Sequence, residues 1–373
     1  MKDQSTLPLF PEIGISDSPP SIRPGGAEPR SRRAGQRPAA RRSEIVERRR
    51  RGGIVVRELP TKELLNRCDN PKMPFAWTVN PYRGCEFACS YCYARPTHEY
   101  LGYPRNEVFE AFEREIWAKI GGESSLTVDK IERAAEVGAI AIGTATDPYQ
   151  SAEEKFQITR RILARFAEVP GLRLSITTKS PLVARDVDLL WRIAQRSRLS
   201  VHISIPTSDD ALARRLEPRA PSPTRRLETI RSLAGAGIDV RLNLIPVVPL
   251  VTDSDERVRE TLLAAKEHGV RGAICNTMFV PAGWRAEGWV WLIDTFPELR
   301  EPFGNFQANP ALFEAERERI QARVRRLIHE LDMDPPAEED RPAVDVQRGL
   351  WNEVSYVRPP VRRRSVHRVG AWR

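Results

Sequence analysis

Cysteine is scarce in this chain: five in 373 residues, three of them within a single eight-residue stretch. Thiols so few and so clustered make no disulfide framework, and a clustered thiol site calls for reducing surroundings. Long apolar runs are missing too. No stretch approaches the roughly 18 consecutive apolar residues of a membrane span. The N-terminal MKDQSTLPLFPEIG lacks the apolar core of a secretory signal. No internal repeat is evident. These absences predict a soluble, cytoplasmic protein without membrane contact.

Charge of one sign is abundant but unevenly placed. Of the net +9, residues 30–51 hold ten Arg against two Glu, and residues 358–373 hold six Arg and no acid. The rest of the chain is therefore acidic, at a net −5. Basic arms of this kind attract phosphate backbones through counterion release, which makes DNA or RNA a candidate partner. A solvated tail with no specific partner is the alternative.

Residues 1–52, rich in Pro, Ser, Gly and Arg, read as a disordered basic tail. Just after it, IVVREL (54–59) reads as a short strand or an arm laid on the body. Residues 70–280 alternate short apolar runs with amphipathic ones. WTVNPY (77–82), AIAIGTA (139–145), LRLSITT (172–178), LSVHISI (199–205), VRLNLIPVV (240–248) and RGAICNTMFV (271–280) read as six strands. Helical patterns fall between them, the first predicted over VFEAFEREIWAKI (108–120) and the second over residues 153–168. Strands separated by helices imply a parallel sheet built through right-handed crossovers. Six units are too few for eight-fold closure, so the expectation is α/β, a partial (β/α)6 TIM-like barrel. Residues 281–373 read as an extension with Trp-rich loops and a helix near 311–332 that covers the barrel and ends in the basic tail.

The stretch NPYRGCEFACSYCYARPTHEY (80–100) places Cys85, Cys89 and Cys92 in C-x3-C-x2-C spacing. Soft thiolates select iron–sulfur clusters or zinc. A four-iron cube normally takes four thiolates; with three, one iron keeps an open position suited to a chelating cofactor. A structural zinc closed by Cys68 or His98 is the competing reading. Other polar residues gather where parallel α/β folds bind ligands, at the C-terminal ends of strands: GTATDPYQ, TTKS, SIPTSDD, and Asn243 before PVVP.

The strings PYRGC, CYARPTHEYLG, TDPYQ, TTKS and LEPRAPSPTRRLE resemble the radical S-adenosylmethionine (SAM) superfamily. Within it they are most similar to a DNA repair photolyase-like branch related to spore photoproduct lyase. The resemblance implies a 4Fe-4S cluster on Cys85, Cys89 and Cys92, with Tyr91 near the SAM adenine. It implies Thr144, Thr146 and Asp147 at the SAM amino group, Lys179 at its carboxylate, and Ser204 at its ribose or carboxylate. Asn243 completes the candidate cofactor set, with Ile205, Val247 and Val248 as an apolar wall for adenine. The implied enzyme cleaves SAM reductively to a 5′-deoxyadenosyl radical, with a flavodoxin or ferredoxin as electron donor, and takes hydrogen from a substrate. Nucleic acid is the favoured substrate. The alternatives are the same chemistry on a peptide or small molecule, or a non-catalytic metal-bearing nucleic-acid-binding protein.

Spore photoproduct lyase uses a cysteine near its second-strand end as hydrogen donor, and AIAIGTATD has none, which argues against thymine-dimer reversal. Cys275 is the remaining thiol of the barrel region, a candidate donor or a buried structural cysteine. Trp284, Trp289 and Trp291 are candidates for base stacking or for core packing. The five arginines of RRLEPRAPSPTRR divide between phosphate contact and helix packing.

Overall fold

The computed structural model describes residues 49–335, apart from 52 and 72. Seven strands form the main sheet, in the spatial order Ala273–Thr277, Val240–Val247, Arg198–Ser204, Arg173–Thr178, Ile140–Ile142, Trp77–Val79 and Leu65–Arg67. The first six of these are mutually parallel, and each lies beside its sequence neighbour. Leu65–Arg67 closes one edge antiparallel to Trp77–Val79. A regular march of parallel strands, each returned by a helix, is the open six-unit barrel that the sequence predicts.

The strands alternate with period two. Leu174 and Ile176, Leu199, Val201 and Ile203, and Val240, Leu242 and Leu244 are buried in the apolar core. That core includes Leu163 and Phe166 of helix Ile158–Phe166 and Leu189 and Ile193 of helix Val187–Ala194. Ser175, Thr177, Ser200, His202, Arg241 and Asn243, the intervening residues, line the barrel lumen instead. The helices therefore pack on the outside, while the inside is kept small and polar.

Four expectations are corrected. Residues 108–120 are not one helix: Val108–Arg114 is helical, and Glu115–Ile120 is a strand paired in parallel with Ile54–Pro60. Ile116, Ala118 and Ile120 stand on alternate positions, a period that suits a half-buried strand. Arg49–Arg51, expected in the tail, pairs antiparallel with 54–56, so a four-stranded sheet with Tyr82–Arg83 at its far edge flanks the barrel. The helix expected over 153–168 breaks at Gln157, whose φ of 49° separates Ala152–Phe156 from Ile158–Phe166. Finally, the Trp-rich stretch is not loop: Arg285–Thr295 and Arg300–Ala308 are helices, and they lead into Pro310–Glu330, the helix expected near 311–332.

The last of these helices lies over the exposed edge strand. Ile320, Val324 and Leu327 join the main core, and the backbone N–H of Ala273 donates to the Met333 carbonyl at 2.8 Å. Trp289, 1 % exposed, packs against Phe303, Phe306 and Phe313 in a second core. Covering an edge this way removes unpaired strand groups from solvent. Among the described residues, no helix is long and apolar enough to cross a membrane.

Candidate active site

Cys85, Cys89 and Cys92 follow the first barrel strand and reach one cavity of about 290 Å³. Tyr91, Thr144, Thr146, Asp147, Lys179, Ser204 and Asn243 line the same cavity. The five strand ends singled out from the sequence thus converge on one volume.

The thiol loop is held from three sides. Its start needs Gly84, at φ 81°, because a Cβ there would sit 2.7 Å from the Phe112 carbonyl. The Gly84 carbonyl accepts from Thr146 Oγ1 at 2.5 Å and from Gln150 Nε2 at 3.2 Å, which fastens the loop to the second strand end. Glu86 adds bonds to the Ser151 N–H and hydroxyl, at 2.5 and 2.7 Å. Asn80 bridges Thr144 Oγ1 and the Ala145 N–H. Beneath the loop, Arg95 is 1 % exposed. Its Nε and Nη2 donate to the Cys89 carbonyl at 3.3 and 3.0 Å, its Nη1 donates to the Phe109 carbonyl, and Nη2 pairs with Glu113 at 2.8 Å. The guanidinium also lies 3.8 Å over the Trp291 ring.

Asp147 ties the second strand end to the third. It accepts from the Tyr149 N–H at 2.9 Å, the Thr178 hydroxyl at 2.7 Å and the Lys179 N–H at 2.8 Å. Burial still raises its carboxyl above the ordinary value. Lys179 Nζ lies 3.6 Å from Glu217, which also accepts from the Tyr91 hydroxyl and pairs with Arg226 at 2.5 Å. Burial opposes the charge on Lys179, but Cys89 and Glu217 outweigh it and raise its pKa. Burial likewise opposes ionisation of Glu217, and Arg226 and Lys179 reverse the sign, so its pKa is lowered.

Burial pushes the Cys89 thiol up to about 12 and Cys85 well above its ordinary value, with the neighbouring cysteines adding to both. Free thiolates packed this closely in an apolar site repel one another; a bound cationic metal centre removes that penalty. Among the described residues, no group of three or more His, Cys, Asp or Glu has the arrangement of a single-ion site. Thiolates that each bind a different iron need no such convergence. The proposed closing ligands of a zinc site are also elsewhere. His98 Nε2 bonds the Glu115 carbonyl at 2.9 Å, and Cys68 does not line the cavity. Asn243, 6 % exposed, donates to Ser204 Oγ at 2.9 Å and leaves its Oδ1 with no hydrogen-bond partner, an acceptor open to a ligand. The residues present fit a three-thiolate cluster with a polar ligand beside it.

The apolar wall falls differently from the sequence expectation, and the other candidates take one of the two readings that the sequence left open. Ile205, Val247 and Val248 are core residues outside the cavity; Ile245, Pro246, Phe87 and Phe279 supply its apolar wall. Cys275 is absent from the lining and packs against the outer core, where burial raises its pKa to about 11. Trp284 and Trp289 are buried in packing contacts with Phe109 and the C-terminal phenylalanines. Of the five motif arginines, Arg215 pairs with Glu298, Arg219 with Glu113 and Arg226 with Glu217. Sequence reasoning missed Asn80, Glu86, Arg95, Gln150 and Glu217, although all five stand inside or next to the strings that carried the resemblance.

Residues 79–262 match the model of the radical SAM superfamily. An uncharacterized protein of Mycobacterium tuberculosis (strain H37Rv) is 33% identical over 306 residues, covering 80% of this chain and 89% of that protein. A second, from Methanocaldococcus jannaschii, is 30% identical over 194 residues, covering 52% of this chain and 69% of that protein. Among solved structures, spore photoproduct lyase with bound AdoMet and dinucleoside spore photoproduct aligns at a TM-score of 0.48 and 14% identity. That alignment covers 65% of this chain and 66% of the lyase, just under two thirds of its length. Three thiols at C-x3-C-x2-C spacing, presented at the ligand-binding end of an open parallel barrel, agree with the family match. The chain belongs to the radical SAM superfamily, whose members use a 4Fe-4S cluster and S-adenosylmethionine.

Proposed function

We propose that this protein is a radical SAM enzyme that abstracts hydrogen from a nucleic-acid substrate, as a repair lyase or a modifying enzyme. The observation that carries the radical chemistry is the convergence of Cys85, Cys89 and Cys92 with Asp147, Lys179, Ser204 and Asn243 on one cavity. When bound, the cluster supplies an electron that splits SAM into methionine and a 5′-deoxyadenosyl radical, which takes a hydrogen atom from the substrate. Enzymes of this superfamily need a reductant; a flavodoxin or ferredoxin fills that role in this reading.

The chain's own residues bind, orient and exclude water. Cys85, Cys89 and Cys92 are the cluster ligands in this reading. Tyr91 offers a ring wall, and its hydroxyl is fixed by Glu217. Lys179 supplies a cation for a carboxylate, with Glu217 holding it in place. Asn243 Oδ1 and Ser204 Oγ offer polar partners for hydroxyl or ammonium groups. Thr144, Thr146 and Asp147 act mainly by fixing the thiol loop and the strand ends, because their side chains already bond protein groups.

The nucleic-acid assignment rests on the branch resemblance and on the arginine-rich segments 30–51 and 358–373, which lie almost wholly outside the described residues. Cys275, turned away from the cavity, is a poor hydrogen donor in this scheme. The test is to incubate the reduced, reconstituted protein with SAM and deuterium-labelled DNA or RNA and to seek label in 5′-deoxyadenosine. Label from nucleic acid supports the proposal. Cleavage of SAM with label drawn only from peptide or small-molecule fractions redirects the substrate. No cleavage under any reductant removes the radical reading.

A further inference from the structure

Related closed barrels fill their interior with layers of bulky branched side chains. Here the inward positions carry Ala141 and Gly143, Ser175 and Thr177, and Ser200, so the lumen stays hollow below the thiol end. Gly143 is required at its place: at φ 86°, a Cβ there would stand 2.6 Å from the Thr177 carbonyl.

One row of that lumen is basic. Strand register sets Thr177 beside His202, and His202 beside Arg241. Arg241 is 1 % exposed and lines the cavity. Asp239 bonds its Nε and Nη2 at 3.4 and 3.1 Å, while Nη1 has no hydrogen bond to a described residue. His202 Nε2 shares a hydrogen bond of 2.9 Å with Ser200 Oγ. One inward position further along the strand stands Asn243 with its unpartnered Oδ1. Against these, the one carboxylate on the cavity wall among the described residues is Asp147, already spent on Thr178 and two backbone N–H groups.

We propose that this row is a subsite for an oxyanion of the substrate, a phosphate or a carboxylate, anchored by Arg241 with Thr177 and His202 beside it. The proposal deepens the reading of the cavity as a radical SAM site and rests on it for the reaction. A buried guanidinium with one acidic partner and an unused N–H edge favours a second anion, and its planar fork matches phosphate or carboxylate oxygens. Anchoring one end of the substrate in the lumen holds its reacting C–H at the thiol end of the same cavity, which turns binding into orientation. A neutral analogue leaves the buried donors unpaired and is rejected.

The experiment uses the full chain, reconstituted with iron and sulfide and saturated with SAM so that Lys179 is engaged. Inorganic phosphate and, separately, acetate are titrated calorimetrically at constant ionic strength. Saturable binding of at least one anion is expected, and which one binds identifies the group. Arg241→Gln is expected to weaken it by about ten-fold or more, the loss of one charge-assisted contact. Arg241→Lys, which keeps the charge and loses the fork, should weaken it several-fold and stands in if the Gln variant does not fold. No binding by the wild type, or equal binding by the folded variants, overturns the subsite. The SAM-induced change in the cluster spectrum is recorded on the same samples. Its presence without anion binding sinks the subsite alone; its absence sinks the radical SAM reading.

Discussion

Arg95→Met is the most informative perturbation of the thiol loop. In the native chain this guanidinium makes two bonds to the Cys89 carbonyl and one to Phe109, and it pairs with Glu113 at 2.8 Å, with side-chain exposures of 1% and 7%. Removing one member of a buried pair costs about 3–5 kcal/mol, because the other charge is stranded. Glu113 keeps a second partner, Arg219, with Nη2 at 2.7 Å, so the lower end applies, about 3 kcal/mol. For a body of this size, that predicts a fall in Tm of about 6–12 °C. The assay is thermal unfolding under anaerobic conditions, followed by iron counting after reconstitution, since the loop carrying Cys89 loses its floor. Adding Glu113→Gln to the same chain should recover part of the loss, because the stranded carboxylate is gone and the partly exposed Arg219 returns to water. A single variant that melts within about 2 °C of the wild type, or a double variant that falls further, refutes the claim that this buried pair supports the loop.

Cys89→Ala should lower reconstituted iron well below about four per chain and abolish any SAM-dependent spectral change; retention of both would assign the cluster elsewhere. His98 carries a pKa lowered by burial from 6.5 to about 4. The folded chain therefore refuses a proton that the unfolded chain accepts, and stability should decline as pH falls from about 6.5 toward 4, by up to about 3 kcal/mol. Denaturant titrations at pH 7 and 5 on wild type and His98→Asn check this; an equal pH slope in the two counts against it. Trp289→Ala, which empties the centre of the C-terminal aromatic core, should cost about 3–5 kcal/mol. An unchanged melt would mean that these rings serve as a surface platform rather than a core. Truncation of residues 1–48 should weaken DNA or RNA binding and flatten its salt dependence; unchanged affinity at every salt concentration removes the arginine arm from the nucleic-acid reading.

The sequence alone determined the barrel and the thiol loop. Six apolar runs spaced by amphipathic ones leave little freedom, because parallel strands demand covered faces and right-handed returns. C-x3-C-x2-C is local, so it needs no tertiary context to be seen. Strand-end polarity placed Thr146, Asp147 and Lys179 near one another because parallel strands share an end. Tertiary structure decided the rest. Glu115–Ile120 became a strand only because Ile54–Pro60 offered a parallel edge, a pairing across about sixty residues that local periodicity does not encode. Glu217 became the partner of Tyr91 and Lys179 because the segment after the fourth strand folds back over the loop, bonding the Ser90 N–H through the Leu216 carbonyl. Cys275 faced the outer core rather than the cavity because a strand sends successive side chains to opposite faces, and register, not composition, chooses which. The same alternation turned Thr177, His202 and Arg241 inward. Their meeting in one row depends on how three strands align, which no single strand records.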